Sequence, residues 1–178
     1  PDGNLILLAS RNQNITVLSS LGQQLGEVEI EEKLRDVEIA SMSWWSKYID
    51  ENKIITLKKH LMFAFVNGDI CLYDDENDTS PIRYKINLKK VTKAEWNVNG
   101  DCFAACGFIN EGDIKGCISI YNTKMELIKI VKINEPIVCF SFNARGTQIA
   151  LETQNTIYFG IIKQNYKWCY FGETLVNR

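Results

Sequence analysis

The sequence predicts an all-β protein, a run of about three and a half four-stranded antiparallel blades belonging to a larger β-propeller. Three observations carry this reading. A strand, turn, strand, loop, strand, turn, strand order recurs along the 178 residues. Anchors in corresponding strands, Ile15, Ile70, Ile118 and Ile157, return at spacings of roughly forty to fifty-five residues, the period of a four-stranded blade. Helical periodicity is absent. The best helix candidate, Glu31 to Val37, is short and highly charged and lacks an apolar face at i, i+3, i+4.

The chain opens partway through a copy: Asp2-Gly3 supplies a turn, Leu5 to Ala9 a second strand, Asn14 to Leu18 a third and Glu27 to Ile30 a fourth. The next copy runs from Ala40-Ser41-Met42-Ser43-Trp44 through Leu61 to Phe65 and Asp69 to Tyr73 to Ile82 to Leu88, with a charged loop expected between Trp44 and Leu61. A third begins with Ala94-Glu95-Trp96-Asn97 and the turn Asn99-Gly100-Asp101, followed by Cys102 to Phe108, Cys117 to Asn122 and Leu127 to Ile133. The last begins at Ile137, turns at Arg145-Gly146-Thr147, and continues through Gln148 to Leu151 and Thr156 to Phe159. The expected blades are residues 1–32, 37–88, 91–133 and 137–178 of one partial propeller, the last with only a weak fourth strand.

Patterning within each blade agrees. Second and third strands such as Cys102 to Cys106 are nearly continuous apolar runs, as for strands covered on both faces. Fourth strands alternate: Arg83, Lys85 and Asn87 interleave with Ile82, Tyr84, Ile86 and Leu88, the chemistry of a charged outer edge. The repeats are of WD type with a degenerate signature. Where Trp-Asp would close the third strand stand Leu18-Ser19, Tyr73-Asp74, Tyr121-Asn122 and Phe159-Gly160.

Composition narrows the function. Twenty basic residues against 22 acidic ones make no nucleic-acid footprint, so proteins are the expected partners. No apolar stretch approaches the ~20 residues of a membrane-spanning helix, and Pro1-Asp2-Gly3 reads as the start of a fragment in a turn rather than as a leader. The six cysteines (Cys71, Cys102, Cys106, Cys117, Cys139, Cys169) fall mostly within strand-like runs, which predicts free, buried thiols and a reducing, cytoplasmic compartment. Zinc is disfavoured by the absence of CxxC and by a single histidine, His60.

Candidate chemistry is sparse. Asp74-Asp75-Glu76-Asn77-Asp78 has oxygens enough for calcium, but Thr79 stands where an EF-hand needs glycine, so it reads as a solvated hairpin tip. Lys58-Lys59-His60 reads as the charged end of the expected loop. No GxSxG elbow, nucleophilic-cysteine motif or phosphate-binding glycine loop is present. Ser41, Ser43, Glu95, Ser141 and Asn143 on the inner strands make no catalytic set. Trp44, Trp45, Trp96 and Trp168 lack a basic surround and read as packing residues. No catalytic residue, cofactor site or metal site is assigned. An interaction scaffold is the expected class, and a propeller enzyme with groups around a central channel is the alternative.

The C-terminal stretch Ile157-Tyr158-Phe159-Gly160-Ile161-Ile162-Lys163-Gln164-Asn165-Tyr166-Lys167-Trp168-Cys169-Tyr170, followed by Thr174-Leu175-Val176, is more distinctive. It resembles the end of the first propeller in a family of WD-repeat subunits of intraflagellar transport complex A, the WD repeat-containing protein thirty-five family. Ile137 to Leu151 resembles the preceding strand, turn and Arg-x-x-x-Ile-Ala-Leu of that family, although Gly146 and Thr147 intervene; Asp2 to Gly22 resembles an earlier blade. The resemblance covers nearly the whole chain and is specific in its last thirty residues. It implies two tandem propellers with a helical tail, a place among other subunits of a transport complex, membrane-protein cargo or adaptors as further partners, and residence in the cytoplasm, the cilium and the ciliary base. It also implies retrograde ciliary transport and ciliary entry of membrane proteins. Coatomer-like and tubby-like WD-repeat scaffolds share parts of the layout.

Asn165, Tyr166, Lys167 and Trp168 form the family signature, and their density of large side chains points to a packed structural hairpin. On that reading Trp168→Ala lowers unfolding free energy by about 3–5 kcal/mol in a denaturant melt. Unchanged stability with lost subunit binding would instead make Trp168 an interface anchor.

Overall fold

Strands sandwiched between two neighbours need apolar residues on both faces, and the middle strands of this chain provide them. The computed structural model describes residues 5–10, 14–51, 54–74, 76–110, 115–162, 168–171 and 174–177, with backbone alone for 46–51, 54–59, 168–171 and 174–177. The first antiparallel sheet comprises β1 (Leu5–Ala9), β2 (Ile15–Ser19) and β3 (Gln24–Val28). The second comprises β4 (Ile39–Glu51), β5 (Ile54–Phe65), β6 (Asp69–Tyr73) and β7 (Ile82–Lys85). The third comprises β8 (Lys89–Trp96), β9 (Cys102–Phe108), β10 (Cys117–Asn122) and β11 (Leu127–Lys132), and the fourth β12 (Ile137–Phe142), β13 (Gln148–Thr153) and β14 (Ile157–Ile161). β15 (Trp168–Phe171) and β16 (Thr174–Asn177) pair with each other as a separate two-stranded sheet. Four sheets, each paired strictly in sequence order, make a partial WD-repeat β-propeller.

Three apolar layers hold the blades together. Ile15, Val17 and Val28 of the first blade meet Phe63, Phe65 and Tyr73 of the second. Met62, Ala64 and Ile70, on the opposite face of the second blade, meet Ala94, Phe103 and Tyr121 of the third. Ala104, Cys106 and Ile118 of the third meet Phe140, Ile149 and Leu151 of the fourth. The anchors Ile15, Ile70 and Ile118 are thus buried against the following blade, whereas Ile157 is 62% exposed on the face that no described blade covers. The segment expected not to form an α-helix makes a single 3₁₀ turn, Glu32–Leu34, which plugs Leu34 into the first layer.

The structure corrects three expectations. The charged loop between Trp44 and Leu61 is a β-hairpin: β4 and β5 stay paired from Ser41↔Ala64 to Glu51↔Ile54. The degenerate signature is one residue out of step in the last blade, because the position three after the anchor, Tyr73 or Tyr121 elsewhere, is Gly160 there. Phe159 lies on the outward face beside Ala150 and is 82% exposed. Finally, the weak fourth strand of that blade is not added to β14, since β15 and β16 pair only with each other.

The tight turns lock one blade onto the next. Gly100 adopts φ +68°, and an added Cβ would collide with the Trp45 ring of the preceding blade. The Trp45 indole also donates to the Val98 carbonyl at 3.2 Å. Gly22 shares the left-handed conformation, φ +79°, but faces open space. Gly22→Ala should therefore cost about 1 kcal/mol, from backbone strain alone. Gly100→Ala should cost about 2–4 kcal/mol because the displaced indole adds to it. Urea unfolding of the two variants checks the contrast, and equal losses would mean that Trp45 moves aside freely.

Candidate interaction surfaces

Of the polar residues expected on the inner strands, Ser41 and Ser43 fasten one inner strand to the next, whereas Ser141 and Asn143 bond within their own blade. Ser41 Oγ donates to the Ala94 carbonyl at 2.9 Å and accepts from the Ala94 amide at 2.7 Å, and the Trp96 amide donates to Ser43 Oγ at 3.0 Å. Lys93 Nζ donates to the Phe140 carbonyl at 2.7 Å, sits 5.2 Å from the Phe140 ring centroid and pairs with Glu95 at 2.8 Å. These contacts supply amide and carbonyl partners where the inner strands of adjacent blades approach. Ser41, Ser43 and Glu95 are thereby committed to structure.

Within the acidic tip, Asp78 is held by local backbone amides. Asp78 accepts from the Asp74 amide at 3.0 Å and from the Ser80 amide at 2.8 Å, which caps a turn. Asp75 lies outside the described residues. Among the described residues, no group of three or more His, Cys, Asp or Glu side chains is placed to hold a metal ion. Cys71, Cys102, Cys106, Cys117 and Cys139 form no disulfide; the first four are buried and Cys139 is half-buried. Burial, reinforced by Glu31, pushes the Cys71 thiol up to about 12; burial with Asp101 does the same for Cys102. Both are protonated at neutral pH and are not thiolate nucleophiles.

Of the family signature, Asn165, Tyr166 and Lys167 lie outside the described residues. Trp168 opens β15, with its backbone opposite Asn177. Lys58, Lys59 and His60 belong to β5 rather than to a loop. His60 stacks on Trp45 with centroids 5.4 Å apart and tilts toward Trp96 at 6.1 Å. Trp45 and Trp96 are buried, as packing residues should be.

One group that sequence reasoning passed over is Asp69. It stands at the start of β6 with its side chain 2% exposed, and accepts from Arg83 Nε at 3.2 Å, Lys85 Nζ at 3.1 Å and Asn67 Nδ2 at 2.6 Å. Arg83 reaches on to Glu31 at 3.2 Å, and the Tyr73 hydroxyl donates to the Glu29 carbonyl at 2.9 Å. Arg83 therefore links the second blade to the segment that leaves the first, while Lys85 holds Asp69 within the second blade. A signal existed in the sequence: an acid two residues after Asn67 in a strand otherwise apolar, with two cations on the paired strand.

Two surfaces are open for partners among the described residues. The β4–β5 hairpin continues seven residues, Ile54 to His60, beyond the last β5–β6 pair, Leu61↔Tyr73; it stands roughly 20 Å above its blade at ~3.3 Å per residue. A groove of about 1380 Å³ runs between β11 and β14, lined by Ile128, Val131, Ile149, Leu151 and Tyr158 among others. The outward faces of the first and fourth blades also expose Ile6, Leu8, Ile157, Phe159 and Ile161, as the flanks of an arc of blades do. No described helix is long and apolar enough to cross a membrane.

Burial alone is the largest single influence on Asp69 and opposes its ionisation, but the hydrogen bonds from Arg83, Lys85 and Asn67 together hold its pKa below the ordinary value. A depressed carboxyl stabilises the fold fully above its unfolded pKa, ~3.9, and the contribution disappears as pH falls through the folded value. Asp69→Asn should lower stability at neutral pH by about 1–3 kcal/mol, with both cations able to rehydrate. It should also flatten the acid limb of the stability curve below about pH 4. Urea melts across the acid range test this, and an unchanged acid limb would remove Asp69 from the account.

No protein-family model matches the chain. It is 30% identical to human WD repeat-containing protein 35 over 121 residues, which are 65% of this chain and 10% of the human protein. The rat and mouse proteins of the same name are each 23% identical over 182 aligned positions, covering 98% of this chain and 15% of theirs. The chain is similar to these proteins as a WD-repeat scaffold and spans about 10–15% of their length.

Proposed function

We propose that the chain is a protein-interaction scaffold acting within a WD-repeat subunit of intraflagellar transport complex A, in retrograde ciliary transport and the ciliary entry of membrane proteins. The observation that carries this reading is similarity to WD repeat-containing protein 35 over nearly the whole chain, on a fold of serial blades. The projecting hairpin and the groove between β11 and β14 suit docking of other subunits. The inner-strand serines and Glu95 serve the blade junctions, and the Cys71 and Cys102 thiols are held protonated, which fits a scaffold better than an enzyme. The expected partners are other protein subunits, together with cargo or adaptors, in the cytoplasm, the cilium and the ciliary base. No cofactor is expected on this reading.

Affinity purification of the tagged protein from the ciliated cells that express it should recover the other subunits of the transport complex in near-equal amounts. Its loss should leave returning cargo accumulated at ciliary tips. Recovery of vesicle-coat subunits instead would move the assignment to a coatomer-like scaffold.

A further inference from the structure

We propose that Ser80, in the turn between β6 and β7, is a phosphorylation site for a proline-directed serine/threonine kinase. Such a kinase holds a short extended segment in its cleft and selects a hydroxyl residue followed directly by proline. A cation shortly afterwards sharpens the choice. Ser80-Pro81-Ile82-Arg83 has this order. Of the three prolines only Pro81 follows a serine or threonine, so the chain offers the pattern once.

The fold presents this segment at the outer rim of the second blade. Leu72↔Ile82 is the last pair of β6 with β7, so Ser80 and Pro81 lie outside the ladder. Ser80 is exposed, and its amide donates to Asp78 Oδ1 at 2.8 Å, while among the described residues its hydroxyl makes no hydrogen bond. Pro81 steers the residue before it toward extended backbone. Having no N–H, it also leaves no unpaired donor when the segment lies in a cleft. Arg83 keeps a third of its side chain in solvent while it reaches Asp69 and Glu31. By contrast, Ser41 and Ser43 are spent on the junction between blades.

In the transfer, Ser80 Oγ attacks the γ-phosphorus of Mg-ATP and forms the new O–P bond. The bond from that phosphorus to the β–γ bridging oxygen breaks, ADP leaves, and the hydroxyl proton passes to the aspartate base of the kinase. The product carries about −1.5 to −2 charge at pH 7, two residues from Asp78 and close in sequence to Asp74 and Glu76. None of these residues belongs to the three apolar layers. The modification therefore changes what the rim of the blade attracts and leaves the core alone.

The test treats the intact, folded protein with a purified proline-directed kinase and Mg-ATP, and maps phosphate across these 178 residues by mass spectrometry. Ser80 should be the one position modified. Ser80→Ala should take up none, and Ser80→Thr should accept phosphate on the threonine. Pro81→Ala, which keeps the hydroxyl, should slow uptake more than about tenfold while retaining a cooperative melt. Protein isolated from its own cells with phosphatases inhibited should carry the same mark. Phosphate placed elsewhere in the segment, undiminished uptake by Pro81→Ala, uptake only after unfolding, or an unmarked Ser80 in the cells would each overturn the proposal.

Discussion

Everything in this structure depends on a sheet having to bury both of its faces at once. A strand in the middle of such a sheet cannot alternate apolar and polar residues; it alternates large and small ones. In β9, Phe103 and Ala105 point into one layer while Ala104 and Cys106 point into the next. In β5, Phe63 and Phe65 enter one layer and Met62 and Ala64 the other. Bulk on one side and its lack on the other let neighbouring sheets interlock at native packing density. The direction of the arc is written in this asymmetry.

Apolar layers set the spacing between blades but leave sliding along the strands weakly resisted, and polar contacts supply the resistance. Ser41 and Ser43 bond to backbone of the next inner strand, Tyr73 bonds to Glu29, and Trp45 rests on the Gly100 turn. Arg83, held by Asp69, reaches Glu31 after the first blade and does the same nearer the rim. Buried or half-buried hydrogen bonds of this kind are costly to misplace, so each one penalises a slipped register more than it adds to stability. The residues suited to inner-strand chemistry are the ones spent on alignment.

The repeat was legible because anchors such as Ile70 and Ile118 recur in strands covered on both faces, where packing dictates the residue type. Tertiary placement was less legible. Phe159 reads as a strand-closing aromatic until β-pairing shows it beside Ala150, one residue from the Tyr73 position. The hairpin between Trp44 and Leu61 reads as a loop because Lys47, Asp50, Glu51, Lys53, Lys58 and Lys59 interrupt it. Those charges are compatible with a ribbon that rises past the third strand, where no neighbouring sheet imposes a pattern. Asp69 was hidden for another reason: its partners are revealed only by the register Asp69↔Lys85 and Cys71↔Arg83.

That hairpin also bears on how such a protein can diversify. It leaves the blade between the two innermost strands, above the junction formed by Trp45, so residues added at its tip disturb neither the apolar layers nor the pairing beneath. Closure entropy rises only slowly with length, by about 0.6 kcal/mol for each doubling of a flexible loop. An insertion inside β9 would instead turn Phe103 and Ala104 onto each other's faces. Lineages can therefore lengthen, shorten or recharge this projection while the arc beneath it is inherited almost unchanged.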